Sequence, residues 1–99
     1  MSELDFEWDE RKAITNFDKH GIEFEEAITV FYDENSRVIF DPDHSFEEDR
    51  YVILGMSDIS RILLVCHIYR QNDEIIRIIS ARRATKQEER SYWSFRHER

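Results

Sequence analysis

Arginine side chains are concentrated in one run near the end of the chain, Arg77-Ile78-Ile79-Ser80-Ala81-Arg82-Arg83-Ala84-Thr85. Guanidinium groups bind phosphate oxygens through paired hydrogen bonds, and the first amides of a helix are further donors to an anion. The run therefore predicts a phosphate-binding site where a strand ends and a helix begins. The alternative is a solvated basic strand end that pairs with acidic residues elsewhere in the chain.

A histidine is predicted to lie beside the first of these arginines. Arg61 to Tyr69 and Glu74 to Ala81 are rich in β-branched residues and flank Gln71-Asn72-Asp73, which predicts a hairpin with a three-residue loop. In that register His67 and Arg77 are cross-strand neighbours on one face. The adjacent positive charge favours a neutral imidazole, which is a proton acceptor near physiological pH. A surface His–Arg pair without a catalytic role is the alternative.

Strand alternation predicts which of the other side chains share a face. In a regular strand Arg83 lies on the same side as Arg77, and Arg82 lies on the opposite side. At most one of the two therefore joins Arg77, unless the chain bends toward the following helix. On the partner strand the alternation assigns one wholly apolar set to the core: Ile62, Leu64, Cys66 and Ile68.

Two residues after the arginines are further candidates. Thr85-Lys86-Gln87-Glu88 matches the capping box at the start of a helix, which by itself explains Glu88. Tyr92, one turn later, either packs in the core or presents its hydroxyl to the same cleft.

Asp41-Pro42-Asp43-His44, followed by Glu47, Glu48 and Asp49, contains oxygen ligands suited to a divalent cation. The segment lacks a glycine-pinned calcium loop and is a strong turn former, so we expect no metal there. The sequence contains no P-loop, dinucleotide fingerprint, paired-cysteine zinc spacing or nucleophile elbow, and we expect no cofactor.

The elements that position these residues follow from caps and periodicity. Asp9 is a suitable N-cap for a helix that ends near His20, with Gly21 in the left-handed conformation. A second helix is predicted over 24–31 because its apolar residues follow helical spacing. Segments 37–40, 50–54, 61–69 and 74–81 are predicted strands, and a helix closes the chain. We predict one α+β domain over residues 1–99, with about four antiparallel strands.

Composition restricts the partners and the compartment. The net charge of −8 is unevenly distributed: residues 1–60 contain 5 basic and 17 acidic side chains, net −12, and residues 61–99 contain 9 and 5, net +4. An acidic chain does not coat nucleic acid indiscriminately, but its basic part suits one phosphate and its acidic part suits a basic protein. A single cysteine, Cys66, and the lack of an apolar span or secretion signal predict a cytoplasmic protein without membrane contact.

The chain resembles the BrnT family of bacterial toxins from about Phe6 to Tyr92. The resemblance rests on these residues: Phe6-Glu7-Trp8-Asp9-Glu10, Lys12, Asn16, Lys19-His20-Gly21-Ile22, Phe24-Glu25-Glu26-Ala27, Phe31, Asp41-Pro42-Asp43-His44, Arg50, Gly55, Arg77-Ile78-Ile79-Ser80-Ala81-Arg82-Arg83-Ala84, Glu88, Arg90 and Tyr92. The strings are weak singly and specific together.

The resemblance implies a RelE-like fold and a ribonuclease toxin that stops translation by metal-independent cleavage of RNA. It also implies a BrnA-type ribbon-helix-helix antitoxin, through which alone the toxin contacts DNA. The candidate roles are as follows: His67 as base or acid, Arg77 with Arg82 or Arg83 as phosphate clamp, Arg90 as a further phosphate contact, and Glu88 or Tyr92 in proton transfer or positioning. The alternative is a non-catalytic module that binds the antitoxin through its acidic helices or a sheet edge and acts as operon co-repressor.

Overall fold

A computed structural model describes residues 4–44 and 46–97 of the chain. The elements in chain order are β1 (Asp5–Trp8), α1 (Glu10–His20), α2 (Phe24–Ala27), a 3-10 helix (Ile28–Tyr32), β2 (Arg37–Asp41), a 3-10 turn (Pro42–His44), β3 (Arg50–Met56), β4 (Ile62–Arg70), β5 (Ile75–Arg83) and α3 (Lys86–His97). None of the described helices is long and apolar enough to span a membrane.

The strands form one five-stranded sheet in the order β1-β5-β4-β3-β2. Strands β2 to β5 pair antiparallel, as predicted, whereas β1 pairs parallel to β5. The predicted α+β class is confirmed, and the predicted sheet of about four antiparallel strands is corrected to a mixed sheet of five. Strand β1 has only four residues, of which Phe6 and Trp8 are large and apolar. Two alternating apolar residues are too few to predict a strand from the sequence.

Helix α1 begins and ends where its caps predict. The Asp9 carboxylate accepts hydrogen bonds from the amides of Arg11 at 2.8 Å and Lys12 at 3.3 Å, and these bonds lower its pKa. Gly21 has φ of 68° and its amide donates to the Phe17 carbonyl over 2.8 Å. An L side chain is strained in that conformation, which explains a glycine at this position.

The second predicted helix is shorter than its apolar spacing indicates. Only Phe24–Ala27 is α-helical, and the chain then tightens into the 3-10 helix. Ile28, Thr29 and Val30 are β-branched and disfavour an α-helix, and the Thr29 hydroxyl donates to the Glu26 carbonyl over 2.7 Å. Val30 then packs against Gly55, where an added Cβ would lie 3.2 Å from the Val30 carbonyl oxygen and 2.9 Å from the Ser36 Cβ.

The main core lies between one sheet face and the helical segment formed by α1, α2 and the 3-10 helix. Leu63, Val65 and His67 of β4 face this core and are fully buried. The set predicted to be core, Ile62, Leu64, Cys66 and Ile68, is on the other face. Ile62 and Ile68 are buried there, as predicted, but Leu64 and Cys66 are half-buried and none of the four belongs to the main core. There Tyr92 of α3 packs with Leu54 and Ile62 in a smaller cluster. Each face of β4 is thus apolar because helices cover both faces in part.

Candidate functional site

Strand β5 contains a β-bulge in the middle of the arginine run. Cys66 pairs with Ser80, but the next residue of β4, His67, pairs with Ile78. Ile79 therefore has no partner on β4 and adds one extra residue to β5. A bulge of this kind reverses the faces of all the side chains beyond it.

The bulge brings three polar side chains of β5 to one face. Arg77, Ser80 and Arg82 are opposite Ile68, Cys66 and Leu64, which share the side of the sheet away from the main core. Ile78 and Ala81, three residues apart, are both buried on the core side. We call the side with Arg77, Ser80 and Arg82 the open face. The alternation predicted from sequence, with Arg83 beside Arg77, is wrong, because sequence does not reveal the extra residue.

Arg83 is on the opposite side of β5 from Arg82. It pairs with Leu63, whose side chain faces the core, and its own side chain is exposed. Its positive charge contributes to the lowered pKa of Glu26, after the larger effect of the hydrogen bond from Arg61. Arg83 therefore does not belong to the same candidate clamp as Arg77 and Arg82.

The hairpin between β4 and β5 has a longer loop than predicted. Arg70 pairs with Ile75, which leaves four residues in the loop, and the first three have positive φ: Gln71, Asn72 and Asp73. His67 consequently lies opposite Ile78 rather than Arg77. The predicted His67–Arg77 pair is wrong, and the two side chains point to opposite faces of the sheet.

His67 is sealed inside the main core. Its ring packs edge-on against Phe31 at 4.9 Å between centroids and is 0% exposed. Nδ1 donates to the Val65 carbonyl over 3.2 Å, and Nε2 accepts from the Tyr69 hydroxyl over 3.1 Å. Burial lowers the pKa of His67 to about 4, so the imidazole is neutral near pH 7. The expectation that it exchanges protons with RNA is corrected by this burial.

Arg82 and Glu88 form a two-bond ion pair at the edge of the open face. Arg82 Nη1 donates to Glu88 Oε1 over 2.8 Å, and Nη2 donates to Oε2 over 3.0 Å. Glu88 also accepts from the Thr85 amide at 2.8 Å, and its own amide donates to the Thr85 hydroxyl at 3.1 Å. The predicted capping box is confirmed. The hydrogen bond from Arg82 lowers the pKa of Glu88, which fixes the carboxylate and orients the guanidinium.

Tyr92 and Arg90 do not join this pair. The Tyr92 side chain is 2% exposed, and its hydroxyl donates to Asp33 Oδ2 over 2.7 Å. Asp33 Oδ2 also accepts from the Met56 amide at 2.8 Å, so Tyr92 anchors α3 to β3. The expectation that its hydroxyl reaches the cleft is corrected. Arg90 is exposed on α3, with no ion pair to any described residue.

Arg77 shares one carboxylate with a second arginine. Its Nη1 lies 2.8 Å from Glu7 Oε2, and Arg70 Nε lies 3.7 Å from the same oxygen. Glu7 is beside Arg77 because β1 pairs parallel with β5. The charge of Arg77 also contributes to the lowered pKa of Asp9, after the larger effect of the amides of Arg11 and Lys12, so this end of the open face contains carboxylates as well as arginines.

A basic groove borders the open face where α1 crosses the edge of β5. Its volume is about 270 Å³, and none of the described residues that line it is acidic. Its charged and titratable side chains are Arg11, Lys12, Lys19 and His20, and its other walls include Asn16 and Ser80. Ser80 is on the open face, so the groove and the arginines of β5 form one continuous surface.

Asn16 fixes the position of this groove. Its Nδ2 donates to the Ala81 carbonyl and its Oδ1 accepts from the Ala81 amide, both at 2.9 Å. Nδ2 also donates to the Ile22 carbonyl over 3.0 Å. The side chain thus takes the place of a neighbouring strand beyond the end of β1 and attaches α1 to β5.

Sequence reasoning missed the groove residues. The helix dipole favours cations at a helix C-terminus, and this alone is a sufficient explanation for Lys19 and His20 in the sequence. The available signal was their helical spacing from Arg11, Lys12 and Thr15, which places all of them on one side of α1.

The described residues contain no group of three or more histidine, cysteine or acidic side chains arranged to hold a metal.

A family profile described as "Ribonuclease toxin, BrnT, of type II toxin-antitoxin system" matches residues 8–88. The chain belongs to the BrnT family. Membership of this ribonuclease toxin family implies an antitoxin partner and an RNA target.

A solved BrnT has the same fold. The crystal structure of the Brucella abortus ribonuclease toxin BrnT superposes with a TM-score of 0.64 at 24% identity, over 85% of this chain and 100% of the Brucella chain. At this identity the match establishes the fold of the BrnT-family chain. No curated protein is significantly similar to it in sequence.

Proposed function

We propose that this chain is a metal-independent endoribonuclease that cleaves RNA in the cytoplasm at the open face. In the proposed reaction the ribose 2′-oxygen attacks the adjacent phosphorus and the 5′-oxygen leaves. The 2′-hydroxyl loses a proton and the leaving oxygen gains one, which gives a 2′,3′-cyclic phosphate and a 5′-hydroxyl. The reaction needs cations at the phosphate oxygens and groups that transfer protons.

The bulge in β5 is the observation that supports this proposal most strongly. It brings Arg77 and Arg82 to the same side of the strand, with the exposed Ser80 between them. Ser80 and Arg82 are two residues apart, which is about 7 Å along a strand. We assign Arg82 and Arg77 to the phosphate clamp and Glu88 to the positioning of Arg82.

We assign proton transfer to His20 in place of His67. Among the histidines whose side chains the structure describes, His67 is buried and His44 is bonded to Asp41 at 2.8 Å. His20 is exposed and lines the basic groove beside Ser80. An exposed imidazole at this place is available to both the attacking and the leaving oxygen.

The test is cleavage of a short RNA by the purified chain in EDTA, with the product ends identified by mass spectrometry. We expect cyclic phosphate ends, no effect of EDTA, and protection of any linkage whose 2′-hydroxyl is replaced by hydrogen. His20→Gln should slow cleavage and alter its pH profile, whereas the matched variant His44→Gln should not. Cleavage that stops in EDTA, or that continues at a 2′-deoxy linkage, would contradict the proposal.

We further propose that a BrnA-type ribbon-helix-helix antitoxin binds the other side of α1. There Ile14 is 63% exposed and Phe17 is 48% exposed, in a depression of about 290 Å³. Asp18, Glu23 and Glu25 form its rim, and an adjoining depression of about 420 Å³ adds Asp58 and Ile59. We call these two depressions the acidic groove. Exposed apolar side chains ringed by carboxylates suit a basic amphipathic segment of the antitoxin.

The same acidic groove favours a second candidate function, a non-catalytic module that binds the antitoxin and acts as operon co-repressor. The two functions differ in one measurement. A chain that binds its antitoxin but neither arrests growth nor cleaves RNA would be such a module.

A further inference from the structure

We infer that the basic groove between α1 and β5 is an RNA-backbone subsite, which holds phosphates that flank the cleaved one. The inference rests on the proposed ribonuclease function, because it assigns the substrate of that site. It adds a binding role for Arg11, Lys12 and Lys19.

The basic groove is lined by cations that form no salt bridge with a described residue. Arg11, Lys12 and Lys19 are exposed, and no described carboxylate lies within ion-pair distance of any of them. Arg77 and Arg82 on the open face, in contrast, each pair with a glutamate. The charge of Arg11 also contributes to the lowered pKa of Asp9, whereas Lys12 and Lys19 have no such carboxylate among the described residues. In a chain of net charge −8, this row of cations beside one groove makes a local anion site.

The second reason is geometry. The groove is a depression of about 270 Å³, and its walls also supply the hydroxyls of Thr15 and Ser80 as neutral donors to phosphate oxygens. Lys12 and Lys19 are two turns of α1 apart, which is seven residues and about 10 Å along the helix axis. A single RNA strand that follows α1 therefore meets a cation at more than one phosphate.

The third reason is rigidity. The three hydrogen bonds of the buried Asn16 fix α1 against β5 and Ile22. The groove therefore exists before RNA binds, and the distance from its cations to Ser80 on the open face is set by the fold. A preformed groove loses less conformational entropy on binding than a flexible basic tail.

The test measures binding apart from cleavage. A fluorescent 2′-O-methyl RNA of about 12 nucleotides lacks the attacking hydroxyl and cannot be cleaved by the proposed reaction. Its fluorescence anisotropy gives Kd over a series of salt concentrations. We expect the double variant Lys12→Ala/Lys19→Ala to bind at least about tenfold more weakly at low salt, and its plot of log affinity against log salt to be shallower by about 1.4.

Arg83→Ala is the matched control, since it removes one exposed cation from the opposite side of β5. It should leave both the affinity and the salt slope unchanged. Wild-type affinity and slope in the double variant, or no RNA binding by the wild type at low salt, would overturn the inference. A wild type that binds through the groove but never cleaves ordinary RNA would retain the subsite and contradict the nuclease proposal alone.

Discussion

The two sides of α1 present opposite chemistry to solvent. Toward β5 the helix bears Arg11, Lys12, Lys19 and His20, and the described lining of the basic groove contains no acidic residue. Toward α2 it bears Ile14 and Phe17 with a rim of carboxylates. The net charge of the chain averages over these two sides and describes neither. An acidic toxin can therefore hold a polyanion on one side and a basic protein on the other.

The largest expected effect separates the two sides of β5. Arg82→Ala removes a guanidinium from the open face and should reduce RNA cleavage by about 10² to 10³-fold, since a lost donor to transition-state charge costs about that much. Arg83→Ala should change cleavage less than about twofold. Rates on a defined RNA and growth after induction provide the measurement. Equal losses in both variants would remove the distinction between the two faces.

The next effect concerns antitoxin binding. Phe17→Ser removes the aromatic side chain from the acidic groove and should weaken binding of the cognate antitoxin by about 30-fold, as for a central apolar contact. Lys12→Ala, on the other side of α1, is the control and should bind with wild-type affinity. Calorimetry with purified antitoxin measures both. The surface assignment fails if Lys12→Ala is the variant that loses binding.

His67 has a structural role in the main core. Its pKa is about 4 when folded and 6.5 when unfolded, so the unfolded chain takes up the proton first as the pH falls. Its contribution to stability is complete above pH 6.5 and declines between pH 6.5 and 4, with about 2 kcal/mol lost by pH 5.

His67→Gln should lose less stability than the wild type between pH 7 and pH 5, because glutamine does not titrate. Urea unfolding at the two pH values gives the comparison. Its cleavage rate should stay within a few-fold of the wild type. Parallel pH dependence in the two proteins would show that His67 is not held neutral.

The smallest effect is at Gly21, where α1 ends between the two grooves. Gly21→Ala places a Cβ at φ of 68° and should cost about 1 kcal/mol of stability, with a fall in Tm of about 4–8 °C. No atom of the described part of the chain lies within 4 Å of that Cβ, so both grooves should keep their ligands. An unchanged Tm would show that another residue ends the helix equally well.

Sequence predicted the local features of this molecule well. Asp9, Gly21 and the capping box of Thr85 and Glu88 act through neighbours within four residues, and the structure confirms them. The hairpin strands were also predicted, because their β-branched runs are long.

Sequence did not predict the features that depend on distant pairing. One extra residue at Ile79 exchanged Arg83 for Arg82 on the open face, and one extra loop residue moved Arg77 away from His67. Strand alternation assigned the apolar set Ile62, Leu64, Cys66 and Ile68 to the core, which left His67 on the face predicted to be exposed. In the structure, helices cover both faces of β4 in part, and His67 is buried. Bulges and helix placement are tertiary properties, and site residues chosen by strand alternation depend on them.

We propose that RNA binds the side of the molecule formed by the open face and the basic groove. The most direct measurement is an amide chemical-shift titration of the isotope-labelled chain with uncleavable 2′-O-methyl RNA. RNA bound there should shift the amide signals of Lys12, Lys19, Ser80 and Arg82 and leave those of Ile14, Phe17 and Glu25 unmoved. Shifts confined to the acidic groove, or absent from Ser80 and Arg82, would contradict it.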